Sequence, residues 1–245
     1  MTGLLIRRSA LSTSGEAEMF RLLESQFDGV DRWTFREDLN NKDYVLLVRA
    51  EDDGRLAGFT TLALYRRRFE GRDIAVICSG DTVMAPDGWG QRSLAQYWIP
   101  AIEHLRAQQP GLTLYWLLIS SGYRSYRFLP VFARTFHPCH DRQTPAEDRR
   151  LLDFLATDRF GDRYDPASGV VRLPRPQLLA GPLRGIPERR LADPHVAYFA
   201  ALNPGHAEGD ELVCLASLER ENYTAAAGRL AERASRPAET LRILA

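Results

Sequence analysis

The 245 residues admit one large domain, or a domain of ordinary size with an extension. Lys plus Arg (32) equals Asp plus Glu (32), so no global field draws the chain to nucleic acid or to a membrane surface, and neither is expected as a partner. Three scattered cysteines, Cys78, Cys139 and Cys214, form no disulfide framework, no apolar run approaches the ~20 residues of a membrane helix, and no secretion signal opens the chain. A soluble protein with reduced thiols, located in the cytoplasm, is the expectation. Lys42 is the single lysine; the arginines elsewhere read as a compositional bias of the genome.

In chain order, residues 4–7 read as a first strand. Ser14 offers an N-cap for a helix carrying Met19, Leu22, Leu23 and Phe27 at helical spacing, and Gly29 stops it. A second helical piece covers residues 33–39. Strands at 44–50 and 55–65 meet at Asp52-Asp53-Gly54, a hairpin signal. A turn at 69–72 leads into the apolar run 74–84, which Pro86, Asp87 and Gly88 interrupt. A helix follows with Leu94, Tyr97, Trp98, Ala101, Ile102 and Leu105 on one face, and Pro100 within it predicts a kink. Residues 112–119 form a buried strand, parallel to 74–84 by the crossover rule, and a loop then enters a helix through Tyr126, Phe128, Leu129 and Phe132.

Beyond residue 140, Thr144-Pro145-Ala146-Glu147 reads as a capping box, residues 169–173 as a short strand, and Asp193-Pro194 as a second helix start. Residues 211–215 read as a strand, and Ser217 as the cap of a last amphipathic helix. The division expected is a core over 1–140 and an α+β extension over 141–245 packed on it.

The segment Met84-Ala85-Pro86-Asp87-Gly88-Trp89-Gly90-Gln91 resembles the strand-to-helix turn of the GNAT superfamily of N-acyltransferases. Gly90 falls on the first glycine of that turn, while Trp89, Arg92 and Leu94 stand where the family carries Arg or Gln and two small residues. The order of elements over residues 4–138 follows the same family. The resemblance implies an α+β fold with a mixed, mostly antiparallel sheet flanked by helices. It also implies acyl-coenzyme A as co-substrate, its pyrophosphate held by the peptide groups from Gly88 through Trp89, Gly90, Gln91 and Arg92 to Ser93 at the helix N-terminus. Arg92 supplies a guanidinium for a phosphate, and Arg124 and Arg127, which follow the parallel strand, are further candidates for a phosphate or an acidic carrier. Arg66, Arg67, Arg68 and Arg72 belong to the far end of the central strand, roughly 40 Å away at strand rise, and read as solvated turn charge.

Acyl transfer to an amine has three demands. An amine with pKa near 10.4 is ready to attack in roughly 1 molecule in 2,500 at neutral pH, so a base must help. The oxyanion needs a fixed donor, which the resemblance puts on a backbone N–H near Met84. The thiolate needs a proton, for which the resemblance implies a tyrosine, and the chain offers Tyr126 or Tyr123. Asp81, a carboxylate inside an apolar strand, is the candidate base; the same residue also reads as a hydrogen-bonded structural Asp at a bulge near Gly80. His137-Pro138-Cys139-His140-Asp141 matches no zinc spacing, and no metal is expected. The leading reading is an N-acyltransferase using acyl-CoA on an amine of a small molecule or peptide. An acyl-carrier-protein-dependent enzyme and a GNAT-like binding module without catalysis are the alternatives.

Overall fold

The computed structural model of the protein describes residues 1–85, 93–234 and 241–244. The chain opens with β1 (Thr2–Arg7) and α1 (Thr13–Glu24). Ser12, held extended, accepts the Gly15 N–H at 3.1 Å, so it and not Ser14 is the cap. After β2 (Phe27–Asp28) comes α2 (Arg32–Asn40), whose first turn is closed by the Asp31 carboxylate on the Thr34 N–H at 2.9 Å. Then follow β3 (Tyr44–Arg49), β4 (Leu56–Phe69) and β5 (Arg72–Met84), with Gly54 supplying the positive φ of 71° at the hairpin turn.

Next are α3 (Ser93–Ala107), which continues through Pro100, β6 (Thr113–Ser120), α4 (Tyr123–Tyr126), α5 (Phe128–Phe132) and α6 (Ala146–Phe160). Pro145 occupies the N-cap position of α6 without a side-chain cap, so the box expected at Thr144 does not form. The strand expected at 169–173 shrinks to β8 (Val170–Val171), which lies between the equally short β7 (Tyr164–Asp165) and β9 (Leu178–Leu179). Asp193 caps α7 (Pro194–Leu202). Ser217 ends β10 (Glu211–Ser217) instead of capping a helix. Thr224 accepts the Ala227 N–H at 3.2 Å ahead of α8 (Ala225–Ala234), and β11 (Leu241–Leu244) follows.

Among the described residues nine strands share one sheet in the order β11-β1-β3-β4-β5-β6-β10-β8-β7, with β1/β11 and β5/β6 parallel and the other pairs antiparallel. The fold is α+β, a large and mostly antiparallel sheet flanked by helices. On one face α3 lays Leu94, Trp98, Ile102 and Leu105 on Ala75, Ile77, Leu114 and Trp116. The other face is covered in two patches. From α1 and α2, Met19, Leu23, Phe35 and Leu39 pack on Val45, Leu47 and Phe59. From α6, Leu151, Leu152 and Leu155 pack on Val76, Leu117 and Val213. Residues beyond 140 continue the sheet, because β10 pairs with the outer edge of β6 from Leu212 against Ser120 to Ser217 against Tyr115.

Candidate functional site

Pairing of β5 with β6 runs from Ile74 against Thr113 to Ser79 against Leu118 and then stops, although β5 continues to Met84 and β6 to Ser120. The end of β6 is instead held by β10, so the two parallel strands part and leave an opening in the sheet. At the last paired position the Trp116 indole N–H donates to the Ser79 hydroxyl at 2.9 Å.

A bulge sits at the point of parting. Thr60 pairs with Thr82 and Leu62 with Ser79, so Gly80 and Asp81 together oppose Thr61. The extra residue resets the side-chain alternation. Ile77 and Met84 face α3, whereas Asp81 and Val83 turn to the face that carries α2 and α6. The bulge and the candidate base are therefore one feature, since the irregularity delivers the carboxyl of Asp81 out of the apolar layers.

It delivers it into a cavity of about 630 Å³ between α2, the end of α6, the segment 173–183 and the parting strands. Glu211, the first residue of β10, lines the same cavity across the tip of β6. Burial and the nearby charge of Asp38 push the Asp81 carboxyl up to about 7, against the pull of Lys42. Burial and the charges of Asp81 and Asp38 push Glu211 up to about 8. Two carboxyls that hold protons into the neutral range thus share one enclosed space.

Lys42, buried at 8% exposure, follows α2 and donates through Nζ to both Asp38 carboxylate oxygens at 2.6 Å. Its stem lies over Gly80. A Cβ there would meet Lys42 Cε at 2.7 Å and Thr61 Oγ1 at 2.6 Å, so glycine is what lets the lysine pack against the bulge beside Asp81. The only lysine of the chain is thus built into the cavity wall. The compositional reading overlooked it, and its solitary occurrence among arginines was the available signal. Glu211 was overlooked because it stands at the head of an apolar strand remote in sequence from Asp81.

The other expected residues divide. Ala85 N–H donates to Ala57 O on β4 at 2.8 Å, so by strand alternation the Met84 N–H faces the opposite way, toward the opening. Arg124 lines the cavity, its guanidinium against the Tyr123 ring and donating to Leu183 O at 3.3 Å. Arg127 is engaged elsewhere, paired with Asp193 at 3.1 Å at the start of α7. Tyr126 is fully buried between Phe136 and Phe199 and donates its hydroxyl to Pro138 O at 3.0 Å; Tyr123 is buried too, and neither ring lines the cavity. Desolvation holds the Tyr126 phenol well above its ordinary range. Both rings, expected as proton donors, thus sit in the core in this structure, Tyr126 within the aromatic cluster under α7. Gly88, Trp89, Gly90, Gln91 and Arg92 lie outside the described residues, as does the Ser93 side chain, and Ser93 opens α3.

On the α3 side of the opening a narrow apolar pocket of about 10 Å³ is lined by Leu94, Trp98, Trp116 and Phe132. It shares Ser79, Thr82, Leu118 and Ser125 with the large cavity, so the two meet where the strands part. No helix among the described residues is long and apolar enough to cross a membrane, and no group of three or more His, Cys, Asp or Glu among them is placed to hold a metal ion.

No protein-family model and no curated protein matches the chain. Solved structures do. A probable N-acyltransferase from Enterococcus faecalis is 18% identical with a TM-score of 0.40 over 56% of this chain and 33% of its own, so the chain spans about a third of that protein's length. A Trypanosoma brucei acetyltransferase is 19% identical (TM-score 0.38; 58% of this chain, 96% of its own). A GCN5-related N-acetyltransferase from Kribbella flavida is 12% identical (TM-score 0.37; 90% of this chain, 65% of its own).

Proposed function

We propose that the protein is an N-acyltransferase that moves an acyl group from an acyl-coenzyme A thioester to an amine by direct attack. The observation that carries this reading is the parting of β5 and β6 at a bulge that turns Asp81 into a large cavity opposite Glu211. A thioester arm entering from the α3 side would bring its carbonyl to the parting strands, with the Met84 N–H facing the developing oxyanion. The acceptor would enter from the cavity. Asp81 in its ionised form takes the ammonium proton, the free amine forms the C–N bond, and the C–S bond breaks as Glu211, still protonated, gives its proton to the thiolate; the second proton of the attacking nitrogen then passes to the ionised Glu211, and Asp81 releases its own to solvent. Nothing among the described residues favours an acyl carrier protein as donor.

The test is thiol release from acetyl-coenzyme A with an acceptor panel, alongside calorimetry with coenzyme A. Asp81→Asn should lower kcat by about 10²- to 10⁴-fold with coenzyme A affinity unchanged, the size expected for loss of a general base. The wild-type kcat/KM should be bell-shaped. It falls on the acid side as Asp81 takes up its proton near 7 and on the alkaline side as Glu211 loses its proton near 8. Glu211→Gln should be slow throughout and lack the alkaline fall. Full activity of both variants would remove the two carboxyls from the chemistry, and failure of coenzyme A to bind would remove the donor.

A further inference from the structure

We infer that the acceptor is an amine that also carries an acidic group, a carboxylate or a phosphate, and that the cavity arginines, Arg159 foremost, hold that group while the amine faces Asp81. The inference rests on the transfer reading for the amine end, but its anion end stands on the distribution of charge partners alone.

Outside the cavity the partly buried arginines are paired with carboxylates, and those without an ion pair among the described residues, such as Arg66 and Arg134, are exposed. Arg67 is paired with Asp158 at 2.8 Å, Arg150 with Glu70 at 2.9 Å and Arg49 with Glu18 at 2.8 Å, while Arg72 is bonded to Glu147 and Arg220 to Glu103. Inside the cavity the pattern changes. Lys42, Arg124, Arg159, Arg163 and Arg175 line it; Lys42 is paired with Asp38, while Arg159, Arg163 and Arg175 make no ion pair among the described residues. Arg159 is the most enclosed of the three that make no ion pair among the described residues. Its guanidinium reaches the Asn41 carbonyl at a long 3.4 Å and the Cys78 sulfur, and lies over the Tyr65 ring 5.8 Å from its centroid, all of them uncharged partners. Arg163 spends one N–H on Phe160 O at 3.1 Å, and Arg175 stands exposed at the mouth. Of the acids, Asp38 is spent on Lys42 and Glu37 is exposed, while Asp81 and Glu211 hold protons into the neutral range.

A cavity so lined carries an excess of positive charge at neutral pH. It repels a polycation and attracts a ligand with a compact anion, which a planar guanidinium grips with two parallel hydrogen bonds. A half-buried guanidinium without a carboxylate is costly unless a ligand supplies one. An amine with its own acidic group meets both ends of the cavity, and the attached anion offsets the repulsion its ammonium would otherwise meet.

The experiment compares acceptors in pairs that differ only in the acidic group, with acetyl-coenzyme A and the full chain: tyrosine against tyramine, histidine against histamine, ornithine against putrescine, and phosphoethanolamine against ethanolamine. The expected result is that the acidic member of at least one pair has a kcat/KM at least ~10-fold higher, chiefly through KM, and that Arg159→Gln abolishes this preference while kcat stays within about 2-fold. The amino-acid pairs report a carboxylate and the last pair a phosphate. Equal or better use of the decarboxylated members, putrescine above all, overturns the inference and leaves the transfer reading standing. If no pair releases thiol, calorimetry with the acidic members separates the two claims. Binding that Arg159→Gln weakens at least ~10-fold sinks the transfer reading but keeps the anion site, and no binding to either protein sinks both.

Discussion

Asp81, Glu211, Lys42 and Gly80 form one electrostatic unit, and its cost can be measured apart from activity. A carboxyl whose folded pKa is raised contributes full stability below its unfolded value, and that contribution is lost as pH rises through the folded value. For Asp81 and Glu211 the loss spans the interval from their ordinary range near 4 up to about 7 and about 8. The melting temperature should therefore fall between about pH 5 and about pH 8.5, and Asp81→Asn or Glu211→Gln should recover on the order of 1 kcal/mol, or ~2–4 °C, at the alkaline end but not at the acid end. A melting temperature independent of pH in both variants and wild type would show that neither group is perturbed. Lys42 pulls Asp81 the other way. Lys42→Met should move the acid limb of the rate profile up by about one pH unit, and Gly80→Ala should move it in the same direction because its Cβ dislodges the ammonium. A limb that moves for Lys42→Met and stays for Gly80→Ala would separate the glycine from the lysine.

At the level of elements, the chemistry depends on where two strands cease to pair. The Trp116 indole N–H is buried, and its hydrogen bond to Ser79 marks the last rung of the β5/β6 ladder. Ser79→Ala strands that donor in an apolar layer beside Trp98, whose ring centroid lies 4.2 Å from that of Trp116. A loss of about 1–3 kcal/mol in urea unfolding, with the slope unchanged, is expected. A neutral substitution would mean that the opening is set by the bulge alone. The bulge is the second determinant, and it explains why the strand pattern of residues 74–84 is apolar on both sides of Asp81 without enclosing it.

For the molecule as a whole, the segment beyond residue 140 completes the sheet. Without it β6 would expose the edge that β10 covers, and Val76, Leu117 and Ile74 would lose Leu151, Leu152 and Leu155 of α6. A fragment of residues 1–140 should therefore show no cooperative thermal transition, whereas the full chain should unfold in one, since an uncovered strand edge and apolar face are costly. A fragment that melts cooperatively within a few degrees of the full chain would make the extension a true second domain. The cavity makes the same point, since its walls come from α2, the β5/β6 opening, α6, the segment 173–183 and the head of β10.

The sequence by itself determined the elements whose patterns are long and local: the β3–β4 hairpin, the apolar faces of α1 and α3, the β5–α3–β6 crossover and the cap at Asp193. Periodicity and turn chemistry act over a few residues, so they are legible in order along the chain. It also exposed Asp81 as a charge out of place. The tertiary structure decided the rest, because it depends on pairs far apart in sequence: Glu211 sharing a cavity with Asp81, Lys42 over Gly80, and a half-buried Arg159 with no ion pair among the described residues. It placed Tyr126 and Tyr123 in the core for the same reason. A tyrosine in a helical pattern looks identical whether its hydroxyl meets a cavity or, as here, a carbonyl at Pro138, and only the packing of Phe136 and Phe199 around it separates the two.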